Sequence, residues 1–433
     1  MKLLTGRTLS FTGDPEIDGS GALRWEEHGA IAIGDDGRIA WAGPLAELPP
    51  GLAITAREDF GEMILAPGFI DAHIHFPQYR MLAAPGRDLL DWLARFTFPE
   101  EGRFADRSHA EVAAELFLDR LVSNGTTAAL AFSSVHKGAA EALFEAAERR
   151  GMALATGKTM MDRNAPPVVL DDAESGARDT EDLIARWHGR GRLRYAISPR
   201  FAITSTEAQL EVSGALLQAH PDCLMQTHLS ESRREIETVR ALFPNDRDYT
   251  AVYERFGLVG PTCLFAHGIH LSDDECRRLS ETGSAVVHCP TSNTFLGSGL
   301  FDLGHVGAAA RPVGFGLATD VGGGTSYSML TTMGEACKVA MLAGRHLAGA
   351  RAFYLATLAN ARLLHLDAEI GSLEAGKWAD IVLLDPRATP VLAARDDLSE
   401  SVEDRLFALA VLGDDRAVAG TWVAGRKRFA RAG

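Results

Sequence analysis

The strongest constraint on the fold of this chain is an alternation. Between residues 67 and 369, apolar runs of strand length alternate with stretches whose apolar residues recur every three or four positions. Such an alternation predicts a parallel sheet with crossover helices. The runs end near His75, Ser134, Met160, Arg200, His228, His267, Asn293 and Asp320. Eight is the number of strands that closes a (β/α)8, TIM-like barrel. Helical spacing is clear in residues 110–121 and 139–150, whereas the stretch around Asp171 to Asp182 reads as an irregular loop.

The flanks read differently. Residues 1–66 contain short apolar runs punctuated by glycine, such as Ala30-Ile31-Ala32-Ile33-Gly34 followed by the Asp35-Asp36-Gly37 turn. The pattern returns in residues 376–385 and 418–425. Alternating runs between turn residues suit antiparallel strands. The expected organisation of this α/β chain is a barrel over residues 67–369 and a small β-sandwich built jointly from residues 1–66 and 370–433.

In a barrel of this kind chemistry gathers where strands end. The first run closes on Asp71-Ala72-His73-Ile74-His75. Side chains two apart on a strand share a face, so His73 and His75 point the same way. Alone, His-x-His is more often a chance surface pair. Here later run ends add His228, His267 and Asp320, and that set points to a metal. Imidazole with carboxylate suits zinc or ferrous iron rather than calcium or magnesium. Such a metal brings the pKa of a bound water to about 7.

Glu231 follows His228 by three residues. It reads either as a helix-start acid favoured by the helix dipole or as a proton shuttle beside the metal, and the second suits its place in the cleft. Asp320 reads as an N-cap or as a ligand and base. His267 is open between fourth imidazole ligand and a neighbour that orients water. His288 reads as structural, and His109, His136, His188, His220, His305, His346 and His365 as surface or core residues. His109-Ala110-Glu111 lacks the downstream Pro-Cys-x-x-Cys of cytidine-deaminase zinc sites. Gly322-Gly323-Gly324 lacks the Lys-Ser/Thr of a P-loop.

Composition narrows the partners. A formal net charge of −15 argues against a broad basic face for nucleic acid or anionic membrane. A small neutral substrate fits better. No stretch approaches the roughly 20 apolar residues of a membrane span, and the glycine at position 6 comes too early for a signal-peptide core. Five scattered cysteines without Cys-x-x-Cys suggest a reduced, cytoplasmic setting.

Taken together, His73-Ile74-His75, His228-Leu229-Ser230-Glu231, Ala266-His267-Gly268, His288-Cys289-Pro290-Thr291-Ser292-Asn293 and Thr319-Asp320 resemble the amidohydrolase superfamily, in its mononuclear deaminase branch. The lysine that binuclear branches place at the end of strand four is replaced by Ile197-Ser198-Pro199-Arg200, and Lys158 falls on strand three. Further segments, including residues 90–93, 96–104, 75–78, 198–201, 319–330 and 412–416, are similar to the guanine deaminases, and the likeness covers nearly the whole chain.

That resemblance implies a metal set of His73, His75, His228 and Asp320, holding one divalent metal per subunit, zinc first and ferrous iron as the alternative. It implies Glu231 as proton shuttle, His267 as the residue that contacts the water, and Gln78, Arg200 and Phe201 as further substrate contacts. The implied reaction is hydrolytic deamination of guanine to xanthine and ammonia in purine catabolism or salvage. Asp320 takes the water's proton, Glu231 protonates the ring nitrogen and Arg200 faces the purine carbonyl. The loop from Trp92 to Phe104 is expected to close over the base, and a homodimer is implied. The same machinery could instead deaminate another amino-substituted ring, such as a modified purine, pterin or triazine. A non-catalytic scaffold is the alternative from another class, but such proteins usually lose metal ligands that this chain keeps.

Overall fold

The computed structural model describes residues 1–431. Eight parallel strands follow one another around the barrel in chain order: Phe69–His75, Thr126–Phe132, Ala153–Gly157, Leu193–Pro199, Leu224–Leu229, Cys263–His267, Ala285–His288 and Gly314–Leu317. A short extension of the third strand, Thr159–Met160, pairs with the fourth. The strands are short and almost wholly buried, which is why they appear as continuous apolar runs. Inside the barrel, Ile70, Leu130, Ala196, Leu264, Val287 and Ala318 share one core.

Two sequence expectations need correction. The seventh strand ends at His288, not near Asn293. Pro290 starts a helix, Pro290–Phe295, because a proline lacks the N–H a strand needs but suits the first helical turn. The stretch around Asp171 to Asp182 is not an irregular loop but enters the helix Ala173–Trp187. Asp172 and Ser175 form its capping box, and Leu183, Ile184 and Trp187 are buried.

The two chain ends build one seven-stranded sheet. Its spatial order is Arg426–Ala430, Val418–Val423, Ile381–Leu384, Ala56–Pro67, Lys2–Phe11, Leu23–Ile33 and Ile39–Pro44. The neighbours are antiparallel except Lys2–Phe11 with Ala56–Pro67, which run parallel. The small β-module expected from both chain ends is thus hydrogen-bonded as one continuous ladder. Register shifts between Gly6 and Thr8 and between Thr5 and Arg7 mark bulges, which bend a strand. Leu4, Ile31 and Leu65 from the N-terminal part pack with Ile381, Leu383 and Trp422 from the C-terminal part, so neither end has a complete core alone. The C-terminal segment also contributes the helix Val402–Leu412, whose Glu403 accepts hydrogen bonds from the N–H groups of Gly349 and Ala350 on the barrel's outer layer. Among the described residues no helix is long and apolar enough to cross a membrane.

The last strand closes on the first. The Asp320 N–H donates to the His73 carbonyl at 3.0 Å, and the His75 N–H donates to the Val321 carbonyl at 2.7 Å. Lower in the barrel, the buried Asn360 amide donates to the carbonyls of Ile70 (2.6 Å) and Leu317 (2.7 Å), stapling the two strands. Gly316 makes this possible, since a Cβ there would lie 1.8 Å from Asn360 Oδ1. Replacing Asn360 by Ala strands two buried carbonyls, each at about 1–3 kcal/mol. We therefore expect Asn360→Ala to lower unfolding free energy by roughly 2–5 kcal/mol in denaturant titration; a loss below about 1 kcal/mol would show that the staple is dispensable.

Candidate active site

At the carboxyl ends of these strands four donor atoms converge. His73 and His75 leave the first strand, His228 the fifth, and Asp320 follows the eighth. Asp320 Oδ1 lies 3.2 Å from His73 Nε2 and 3.3 Å from His75 Nε2, and His228 Nε2 is 3.2 Å from His75 Nε2. All four side chains are buried.

Their protonation follows from their surroundings. Burial drives the pKa of His75 down to about 3, and it lowers those of His73 and His228, so the three rings are neutral. His228 Nδ1 donates to the Arg200 carbonyl at 2.7 Å, which leaves its Nε2 lone pair facing the cluster. Burial pushes the Asp320 carboxyl up, but the close approach of His73 and His75 outweighs it and holds the group well below the usual carboxylate range. His73 Nε2 and His75 Nδ1 have no hydrogen-bond partner. Neutral imidazoles with lone pairs aimed at one another beside a carboxylate are unfavourable by themselves and become favourable around a cation. The donor set therefore fits a divalent metal of the zinc or ferrous type.

Glu231 and His267 stand beside the cluster. His267 Nε2 is 3.4 Å from Glu231 Oε2 and 3.8 Å from Asp320 Oδ2. Burial first, and the Asp320 charge second, raise the Glu231 pKa to about 8, against a hydrogen bond from Ser298. A carboxyl in that state carries a proton at neutral pH and can donate it. Glu231 does not cap the following helix. Ser232 is the N-cap of Arg233–Leu242, and Glu235 completes the capping box. Likewise Asp320 is no N-cap, because the next helix, Met329–Leu342, is capped by Ser328.

Backbone strain marks the same places. Ser230, His267 and Asp320 have φ of 49°, 73° and 50°, the left-handed region that non-glycine residues seldom adopt. Three such residues at three strand ends re-aim the side chains that follow the sheet into the mouth of the barrel.

Above the cluster lies a narrow pocket. His75, Gln78, Arg200, Phe201, His228, Glu231, His267 and Asp320 all line it, with Leu89, Trp92, Leu93 and Leu296 as its apolar cover. His73 sits just below, against Asp320. Every sequence-derived site residue thus comes to one place. The cover segment runs as short helical pieces, Leu89–Trp92, Leu93–Thr97 and Phe98–Gly102, of which Leu89, Trp92 and Leu93 reach the pocket.

Sequence reading gave no role to three residues that the structure places behind the lining. Asn293 Oδ1 accepts from His267 Nδ1 at 2.8 Å, so His267 presents its Nε2 lone pair to the pocket. Ser298 Oγ donates to Glu231 Oε1 at 2.9 Å. Glu101 is fully buried and binds both Gln78 and Arg200. Asn293 closes a motif visible in the sequence, but nothing in the spacing relates Glu101 to Gln78, 23 residues away, or Arg200, 99 away. The other polar groups fall outside the site. Lys158 is buried against Asp171, and the His288 ring stacks on Phe301 at 4.4 Å. Cys289 lies near the cluster, but burial and the charge of Asp320 push its thiol well up, which keeps it protonated.

A parallel barrel with this donor set and a proton-carrying carboxyl beside it defines a barrel hydrolase of the metal-dependent type. The Amidohydrolase family model matches residues 64–428. The chain is 45% identical over 435 residues to the guanine deaminase of Escherichia coli K12, covering 100% of this chain and 98% of that protein. The structure superposes on guanine deaminase from Bradyrhizobium japonicum with a TM-score of 0.95 at 38% identity, covering 99% of both chains. It also superposes on guanine deaminase from C. acetobutylicum with guanine bound in its active site, with a TM-score of 0.88 at 28% identity, covering 99% of this chain and 100% of that one. The chain belongs to the amidohydrolase family and, within it, to the guanine deaminases.

The convergence of ligands from different strands generates a test. His73→Ala and Asp320→Ala each remove one donor, so each variant should lose bound metal and activity together, as read by elemental analysis and ammonia release. Full metal occupancy with normal turnover in either one would remove it from the donor set.

Proposed function

We propose that this enzyme hydrolytically deaminates guanine, converting guanine and water to xanthine and ammonia. The observation that carries the reading is the placement of the Glu231 carboxyl and His267 over the four-donor cluster, in a pocket walled by Gln78, Arg200 and Phe201. His73, His75, His228 and Asp320 would hold one divalent metal, zinc first with ferrous iron accepted by the same donors, and when bound it would supply hydroxide from water at neutral pH.

The residues divide the remaining work. Phe201 and the apolar cover of Leu89, Trp92, Leu93 and Leu296 take the flat ring and exclude water. Arg200 faces the purine carbonyl and stabilises charge developing there. His267, its tautomer set by Asn293, orients the attacking water, whose oxygen bonds to C2. Asp320 accepts a proton from that water, while Glu231 gives its own to the ring nitrogen next to C2. In the second half the proton of the new C2 hydroxyl passes to Glu231, the proton held by Asp320 passes to the amine, and the C2–N bond breaks as the C2 carbonyl forms and ammonia leaves. Glu231 is then protonated and Asp320 ionised, as at the start, and the net gain of the products is one molecule of water.

Five free, buried cysteines and the acidic charge support a cytoplasmic enzyme of purine catabolism or salvage. The general preference for two-fold assemblies supports a homodimer. Deamination of a pterin or triazine by the same machinery is not favoured beside full-length likeness to guanine deaminases, and a scaffold would not need to keep the whole donor set.

Ammonia release from guanine, measured beside adenine, cytosine and 8-oxoguanine, tests the substrate directly; guanine should be turned over fastest, and preference for another base would overturn the reading. Glu231→Gln is nearly isosteric but cannot shuttle protons. It should retain metal and guanine binding while kcat falls roughly 10²–10⁴-fold. A raised KM with unchanged kcat would make Glu231 a binding residue only.

A further inference from the structure

The pocket's two polar recognition groups are held by one buried carboxylate from the cover. Glu101, on Phe98–Gly102, has no accessible surface and does not line the pocket. Its Oε1 accepts from Gln78 Nε2 at 2.9 Å and from Arg200 Nη1 at 2.8 Å, and its Oε2 accepts from the same Nη1 at 2.9 Å. Gln78 Oε1 in turn accepts from the Gly322 N–H at 3.0 Å. The Phe98 ring, three residues before Glu101, lies 5.9 Å from the Arg200 guanidinium carbon.

This arrangement leaves a defined set of groups for the ligand. A carboxylate is acceptor-only, so Glu101 admits only the Gln78 orientation in which the amide nitrogen faces it. With the Gln78 oxygen engaged by Gly322, the free capacity of that amide on the nitrogen side is its second N–H. Arg200 spends Nη1 on Glu101 and keeps its Nε and Nη2 donors. The wall therefore offers N–H groups and answers an acceptor, such as a ring carbonyl. An amino group in the same place would meet donors with donors.

We propose that Glu101 is a specificity-determining positioning residue. By fixing Gln78 and Arg200, it makes the pocket select a purine that carries a carbonyl over one that carries an amino group or hydrogen there. This rests on the guanine reading above. It also links the cover to recognition, because the carboxylate reaches Gln78 and Arg200 only when Phe98–Gly102 is seated. The Arg200 carbonyl accepts from His228 Nδ1, so the same residue joins recognition to the donor cluster through its backbone.

The test compares guanine with 2-aminopurine, which has the reacting amine but no carbonyl, in the metal-loaded enzyme. Glu101→Gln should raise KM for guanine by about tenfold or more, with a smaller change in kcat. For 2-aminopurine kcat/KM should change less than about threefold, so the preference for guanine narrows. In a cycle with Arg200→Met, the double variant should lose little more than the worse single variant, because both act on one contact. Metal content should stay at the wild-type level. Glu101→Asp keeps the charge but shortens the reach, and should lose part of the same preference.

Equal losses for both purines, additive losses in the cycle, an unchanged guanine KM, or failure of both Glu101 variants to fold would each overturn the assignment and leave Glu101 a structural residue. Wild-type turnover separates the two readings. If the wild-type enzyme releases no ammonia from guanine, the reaction itself is misread; if it does, and the preference survives in Glu101→Gln, only the role of Glu101 fails.

Discussion

The seam between the first and last barrel strands is the constraint on which the rest depends. His73 and His75 stand on one side of it and Asp320 on the other. The hydrogen bonds that close the barrel, Asp320 N–H to the His73 carbonyl and His75 N–H to the Val321 carbonyl, run between the donor residues and their immediate neighbours. Asp71 adds to the seam by accepting from the Thr319 N–H at 3.1 Å, and Asn360 staples it lower down. Closing the sheet and assembling the site are thus one event. A small slip at this seam would displace a carboxylate from two imidazoles, which is why the junction is built from backbone bonds rather than side-chain packing alone.

Burial then sets the chemistry. The same low-polarity surroundings act in opposite directions on imidazole and carboxyl groups, because each loses most in its charged form. The histidines become neutral and so able to bind a cation. Glu231, without a cationic partner at hydrogen-bond distance, is raised to about 8 and keeps a proton to give. Asp320, under the same burial but closely approached by His73 and His75, stays ionised. Two carboxyl groups in one pocket thus acquire opposite protonation states, as an acid and a base require.

Recognition is layered behind the lining in the same way. Asn293, Ser298 and Glu101 orient His267, Glu231, and the pair Gln78 and Arg200, respectively. Orientation by a second set of hydrogen bonds removes rotamer freedom before the ligand arrives, which is how a pocket holds a small rigid ring without a large contact area. Arg200 shows that two ordinary readings of one residue need not exclude each other. It is a buried ion-pair partner and a pocket wall at once.

The sequence by itself determined the barrel, all but one of its strand ends and the polar residues of the lining. Apolar runs must bury both faces, and the polar residues that end them have only the barrel mouth to occupy. His-x-His and the motifs around His228, His267 and Asp320 were legible because each is local, spanning a few residues. Short-range grammar misled at two helix starts: the seventh strand stops at His288 because Pro290 opens a helix, and Asp172 caps a helix where a loop was expected. Tertiary structure alone decided the rest. The strand order that interleaves the two chain ends, the staple of Asn360 and the grip of Glu101 on Gln78 and Arg200 join residues far apart in the chain. No periodicity or spacing encodes such pairs, because they exist only once the barrel has brought its two ends together and the cover has been seated on its mouth.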